Sequence, residues 1–461
     1  MVSRTPRRIN RTADFFRESS NKNRCNPFGL ACEASREKSR GDTKRNDNDF
    51  SGDEVMDRMH RKLGFGVIGL TLMGVSEVLH AQSSVTLYGT VDTGLTYVSN
   101  QQIGSAAGDV GGKSAWSMTT GNLAPTAFGI RGTEDLGGGT SAVFNLQNYF
   151  LSNNGGMFQA NNLFDATAMV GLRSDRWGQL TAGRQFDSYT NALAPFAISN
   201  NWAGPLGAHF GDIDNLNAAF NLNNSIQYQS PAFYGFSAGG TFSFGNQAGS
   251  FAKNRGWALA ATWSHGPLSL GAGYLSLRNP LEAALGGSSA YIGELSCGQS
   301  PASYCALHDA DELRTFGVGG SYVLDKLAVS AALTRATLVG SRYLVAVGGP
   351  VSDVRFDTAE LSGLYNVTPA LQIGLGYSYT RADIRTKDAN TNIHKLSLGG
   401  IYSLSKRTQL YAIGNFEKMS GVGLGLDPAS GAFENYAQLA YLGSANSSAQ
   451  LAVSVGIKHN F

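Results

Sequence analysis

The chain has 461 residues, with 36 Lys+Arg against 34 Asp+Glu, a formal net charge of +2 and only 15% charged residues. A soluble domain carries about 25% charged residues, and the 58 glycines are about twice the usual share. Middling hydropathy excludes a bundle of membrane helices. Low charge with abundant glycine and aromatic residues fits a barrel that crosses a membrane with strands.

The charge is unevenly placed. Residues 1–81 hold 15 Lys+Arg and 11 Asp+Glu, leaving 21 and 23 for residues 82–461. The basic excess belongs to the N-terminal part, and the main body carries no electrostatic footprint for nucleic acid. Residues 1–58 are polar and mixed in charge, the composition of a disordered extension or of sequence upstream of the true start. Met59-His60-Arg61-Lys62 then opens an apolar run from Leu63 to Val75. That run is too short for a membrane-spanning helix and has the form of a signal peptide over 59–81, with cleavage expected after Ala81.

From Ser84 the sequence alternates with the period of a strand. Val85, Leu87, Val91 and Leu95 share one face, while Thr86, Tyr88, Thr90 and Asp92 share the other. Similar stretches meet very short turns at 134–138, 174–178, 230–235, 265–267, 324–326, 367–370 and 404–407. Seven hairpins supply fourteen strands. The opening strand and a final one over 451–461 bring the total to sixteen. Even parity, with short turns at one end and long loops at the other, predicts an all-β fold: a sixteen-stranded antiparallel transmembrane β-barrel over 82–461. So many strands enclose a lumen too wide for side chains to fill. The apolar faces then meet lipid, the polar faces meet water, and closure leaves no sheet edge in the bilayer. Aromatic residues at strand ends, among them Tyr97, Trp257, Tyr274, Tyr377 and Tyr379, suit interfacial belts.

Catalytic chemistry has no footing. Gly137-Gly138-Gly139-Thr140-Ser141-Ala142 loosely matches a dinucleotide fingerprint, but an alternating strand follows it where a helix is required. No Gly-x-Ser-x-Gly elbow occurs, and the seven histidines have no metal-ligand spacing. The expectation is a non-enzyme with no metal and no cofactor. Cys297 and Cys305 are the only thiols of the exported body and either bridge a surface loop or stay free.

Several motifs together resemble the Gram-negative general porins, chiefly their β-proteobacterial branch. Ser84-Val85-Thr86-Leu87-Tyr88-Gly89 with Asp92 and Gly94 resembles the first strand of that family. Phe128-Gly129-Ile130-Arg131-Gly132-Thr133-Glu134-Asp135-Leu136-Gly137 resembles its second strand and first periplasmic turn. Gly183-Arg184-Gln185-Phe186-Asp187 and Asn224-Ser225-Ile226-Gln227-Tyr228 resemble the strands that enter and leave an inward-folded third loop. Val455-Gly456-Ile457-Lys458-His459-Asn460-Phe461 resembles the C-terminal strand, whose Phe461 the barrel-assembly machinery would read.

The resemblance implies a homotrimer in the outer membrane, in contact with its lipid and lipopolysaccharide, that passes small hydrophilic solutes by diffusion. It places the third loop over 187–222 as a constriction. Asp187, Asp212 and Asp214 are the loop's candidate charges, with Tyr88, Asp92, Arg131 and Arg184 on the wall. The acids serve either as pore charges or as hydrogen-bond acceptors that fasten the loop. Three basic rungs of the family pattern are replaced, by Ala127, Ala166 and Asn221. Their loss predicts weak cation preference or near neutrality. A surface adhesin built on the loops 279–311 and 417–436, or a substrate-preferring channel, are the competing readings.

Overall fold

A computed structural model describes residues 83–461 apart from 104–110, 160–161, 281–290, 293–294, 297–306, 308, 346–347, 386–388 and 427–431. The expected extension, the signal segment, Cys297 and Cys305 lie outside the described residues.

Seventeen strands form one sheet. They are β1 (Ser84–Ile103), β2 (Gly111–Thr120), β3 (Ala127–Gly137), β4 (Thr140–Tyr149), β5 (Thr167–Ser174), β6 (Gly178–Gln185), β7 (Leu222–Gln229), β8 (Phe236–Ser243) and β9 (Gly256–His265). The sheet continues with β10 (Leu268–Arg278), β11 (Glu312–Leu324), β12 (Leu327–Ser341), β13 (Ser352–Asn366), β14 (Leu371–Ile384), β15 (Ala389–Ser403), β16 (Thr408–Gly421) and β17 (Ala449–Asn460). The lower half of β1 pairs with β3, from Ser84↔Thr133 to Thr90↔Ala127. Its upper half pairs with β2, from Thr93↔Thr120 onward. β2 and β3 are thus two lengths of one stave, broken at 121–126, and the wall has the sixteen staves the turn count predicts. Pairing of β1 with β17, from Thr90↔Asn460 to Val98↔Ala452, closes the barrel.

Six of the seven short turns fall where the sequence places them; the first, expected over 134–138, is Gly138-Gly139, because β3 stays paired with β4 through Gly137. Between β11 and β12 only Asp325 and Lys326 intervene, and Asp325 takes the left-handed region (φ 46°) that a two-residue hairpin turn requires and that Asp tolerates. The long loop expected over 417–436 starts later, because β16 runs to Gly421 and makes Glu417 a wall residue. Glu417 continues the alternation of its strand, so the ladder outlasts the apolar pattern.

Alternation sorts the two faces. On β14, Ile373, Leu375 and Tyr377 point outward and are 44–58% exposed, while Gly374, Gly376, Ser378 and Thr380 point inward and are buried. Val85, Leu87, Val91 and Leu95 of the opening strand are likewise exposed on the outer face. The inward side chains are buried because the chain between β6 and β7 lies against them. It begins with a short helix, α1 (Ser188–Leu193), and continues through tight turns. Its Tyr189, Leu193, Phe196, Ile198 and Trp202 are all at most 5% exposed, so the largest apolar cluster sits inside the barrel.

Candidate functional site

The segment 186–221 rests on glycines. A Cβ at Gly271 or Gly319 would collide with the ring of Phe196, one at Gly317 with Leu193, one at Gly376 with Ile198, and one at Gly374 with the indole of Trp202. These glycines lie on the inward faces of β10, β11 and β14. The glycine-rich polar faces of the sequence are therefore a floor stripped of side chains, into which the segment's large apolar groups fit. At its far side, Gly204 (φ 64°) meets the carbonyl of Asn122, where any side chain would clash.

Polar contacts fix the segment to the same wall, on the strands interleaved with the glycine floor. Glu360, on the inward face of β13, accepts from the backbone N–H of Ile198 at 2.7 Å and lies 3.1 Å from His209 Nε2. His209 Nδ1 lies 2.6 Å from Asp214, whose carboxylate also accepts from the Thr334 hydroxyl of β12 at 2.6 Å. Lys395 of β15 donates to the carbonyl of Ala208 and pairs with Glu417 at 3.4 Å. Burial alone would make His209 harder to protonate, but Asp214 and Glu360 outweigh it and hold the imidazole well above its ordinary pKa. An imidazolium between two carboxylates, with both N–H groups used, is the result.

The loop acids face inward to their own backbone. Asp187 caps α1, accepting from the N–H of Thr190 at 3.0 Å and its hydroxyl at 2.8 Å. Asp212 accepts from the N–H groups of Asn217 at 2.8 Å and Ala219 at 2.9 Å. Burial, then the neighbouring Asp214, push the Asp212 pKa up to about 8. Asp214 is held below the ordinary carboxylate range: burial raises it, and His209 more than reverses that. All three carboxylates are at most 3% exposed. Their hydrogen bonds run within the segment and to the wall residue Thr334.

Asp92 departs from its expected place as a free wall charge. It is fully buried. Its carboxylate accepts from the N–H groups of Leu123 at 2.7 Å and Ala124 at 2.8 Å and from the Tyr411 hydroxyl at 2.5 Å. It ties down the break between β2 and β3, a kink that alternation could not reveal. Tyr88 and Arg131 do share the inward face, with the guanidinium 4.9 Å from the ring and the Tyr88 hydroxyl donating to Asn145. Arg184 is no free charge: it donates to the Asp165 carbonyl and the Asn223 side chain.

Ala127, Ala166 and Asn221 are all at most 4% exposed, and Asn221 donates to the Ala166 carbonyl. The space beside them is open, a cavity of about 260 Å³ lined in part by Thr126, Asp165 and Asn221. Phe461 exchanges both backbone hydrogen bonds with Gly89 and completes the last stave. Sequence reasoning missed His209, Glu360 and Lys395. Glu360 and Lys395 were marked in principle by a charge on an otherwise neutral inward face. His209 carried no such mark.

A closed sixteen-stave barrel, apolar outside and lined inside by a fastened segment, defines an outer-membrane channel barrel. The comparisons make this specific. The family model for Gram-negative porins matches residues 69–421. An outer-membrane porin protein of Bordetella pertussis is 32% identical over 416 residues, 85% of this chain and 97% of its own. Outer-membrane porin protein 32 of Delftia acidovorans is 29% identical, covering 86% and 99%. Among solved structures, the anion-selective porin from Comamonas acidovorans superimposes with a TM-score of 0.60 at 25% identity over 82% of this chain and all of its own. A trimer form of OmpT of Vibrio cholerae, at 14% identity and TM-score 0.55, shares the fold. The chain belongs to the Gram-negative porin family and to the outer membrane. Its relatives are channels, not enzymes.

Proposed function

We propose that the chain assembles as a homotrimer of water-filled channels through which small hydrophilic solutes and ions diffuse passively. The segment 186–221 narrows each channel, and the barrel discriminates little between cations and anions. The observation that carries this reading is the set of bonds at the segment: its acids are spent on its own backbone and on His209, while Ala127, Ala166 and Asn221 supply no opposing cations. With neither side of a transverse field exposed, the potential across the opening is small. Export through the signal peptide at 59–81 and recognition of Phe461 by the assembly machinery complete the reading. In liposome-swelling assays, small sugars enter at rates that fall with size, and the zero-current potential in a tenfold KCl gradient stays near zero. A barrel that admits no sugar is instead an adhesin. A strong potential of either sign refutes near neutrality.

A further inference from the structure

The cavity of about 260 Å³ beside Asn221 has a lining that the passage of hydrophilic solutes does not require. It opens between the segment 186–221 and the part of the wall formed by β1–β4. The segment contributes Leu206 and Ala218, the wall Thr120 and Tyr149, and the loops after β4 and β16 contribute Phe158 and Tyr441. The three rings stand edge to face in succession, Tyr149 and Phe158 at 6.2 Å and 85°, Phe158 and Tyr441 at 6.1 Å and 67°. Rings prefer this arrangement because the positive edge of one meets the negative face of the next. A further ring entering the cavity extends the same series.

The polar groups around the rings are already engaged. Asn122 donates to the Tyr411 hydroxyl, Asn153 to the Met118 carbonyl and Asn221 to the Ala166 carbonyl. Among the described residues, the lining holds one carboxylate and no basic group. That carboxylate, Asp165, accepts from the backbone N–H groups of Tyr149 at 2.7 Å and Gln159 at 3.3 Å. An anion therefore meets no cation here. A sugar would bring more hydroxyls than the lining can pair, and each one buried without a partner is unfavourable. Backbone strain converges on the same place. Among the described non-glycine residues in the left-handed region, all but Ala218 (φ 60°), Tyr234 (φ 51°) and Tyr441 (φ 61°) are Asn or Asp, which tolerate it. Two of these three line the cavity, and strain of this kind clusters at binding sites.

We propose that the cavity is a subsite for neutral monocyclic aromatic solutes that carry one small polar substituent, such as an amide or a hydroxyl. An apolar cavity of about 150 Å³ holds benzene, so about 260 Å³ has room for one ring and its substituent. The solute's ring packs against Phe158 and Tyr441, and its substituent stays toward the water of the lumen. This inference rests on the channel reading and names the solute class that the opening retains.

The test places the full exported protein in planar bilayers at neutral pH, with benzamide added to the KCl solution. Benzamide should lower the open-channel current saturably. Its half-blocking concentration should lie at least tenfold below those of cyclohexanecarboxamide, which has no aromatic faces, of glucose and of benzoate. The double variant Phe158→Leu, Tyr441→Leu keeps apolar bulk and removes two rings. Each ring pair is worth a factor of about 2 to 12 in affinity, so the half-blocking concentration should rise about tenfold or more. Asn221→Arg, which sets a cation beside the cavity, should reverse the order of benzamide and benzoate. A barrel that carries no KCl current fails the channel reading itself. A conducting barrel with no saturable block by benzamide, or with equal block by cyclohexanecarboxamide or glucose, overturns the subsite alone. So does a conducting double variant that keeps the original half-blocking concentration, or an unchanged order in Asn221→Arg.

Discussion

Removing Glu360 should free the segment inside the barrel without unfolding the wall. Its side chain is 1% exposed and serves two partners, the Ile198 N–H at 2.7 Å and His209 at 3.1 Å. Glu360→Ala leaves both buried donors unmet and leaves the imidazolium with Asp214 alone. Breaking a buried charged pair from one side costs about 3–5 kcal/mol. Glu360→Gln keeps an acceptor for Ile198 and loses only the charge-assisted bond, at about 1.5–3 kcal/mol. The strand ladder of β13 is main-chain and unaffected, so the cost falls on the docked segment, whose population shifts about tenfold toward release for every 1.4 kcal/mol. In planar bilayers, Glu360→Ala should therefore raise mean conductance and low-frequency noise, with Glu360→Gln intermediate. Swelling assays should admit larger sugars in the same order, while the temperature at which the barrel unfolds in detergent changes little. If both variants keep the original conductance, noise and size limit, Glu360 does not hold the segment and the clamp is refuted.

The remaining predictions bear on separate contacts. Filling the glycine floor, as in Gly376→Leu, should displace Ile198 and widen the opening with no loss of thermal stability; an unchanged sugar cutoff counts against the floor. Asp92→Ala removes the acceptor of three buried donors and should lower the unfolding temperature, at about 1–3 kcal/mol for each orphaned group. A normal unfolding temperature with a shifted reversal potential would make Asp92 a pore charge instead. Conductance noise should also depend on pH. His209 and Asp212 both have raised values, so their stabilising contributions are complete in acid and lost as pH rises, for Asp212 through about 8. Asp214 is depressed, so its contribution is present above the ordinary carboxylate value and lost as pH falls below it. Noise should be lowest just above the ordinary carboxylate range, near about pH 4–5, and rise toward both lower and higher pH; a flat profile from pH 3 to 10 contradicts this. Deleting Phe461 removes a pair of backbone bonds to Gly89 and should sharply reduce the folded barrel recovered from outer membranes.

Strand period and turn chemistry are local properties, and the chain displays them openly. The split of Val85, Leu87 and Leu95 from Thr86, Tyr88 and Asp92, repeated between seven short turns, sufficed for sixteen staves, their outward faces and closure. Motifs from Ser84 to Phe461 sufficed for the family. The fates of individual charges did not follow from parity, because parity says which side of a wall a residue faces and not what lies against it. Asp92 faces inward as its strand dictates, yet a break in the neighbouring stave folds two N–H groups onto it. Asp212 and Asp214 lie in the expected loop, but only the folded segment brings them to Asn217, Ala219 and His209. Glu360 meets His209 across 151 residues of sequence. The rings of Phe158 and Tyr441 meet only because closure of the barrel brings two distant loops together. The sequence by itself determined the barrel, since each strand carries its own two-sided pattern. Only the tertiary structure decided which of its charges are spent on packing and which stay at the surface.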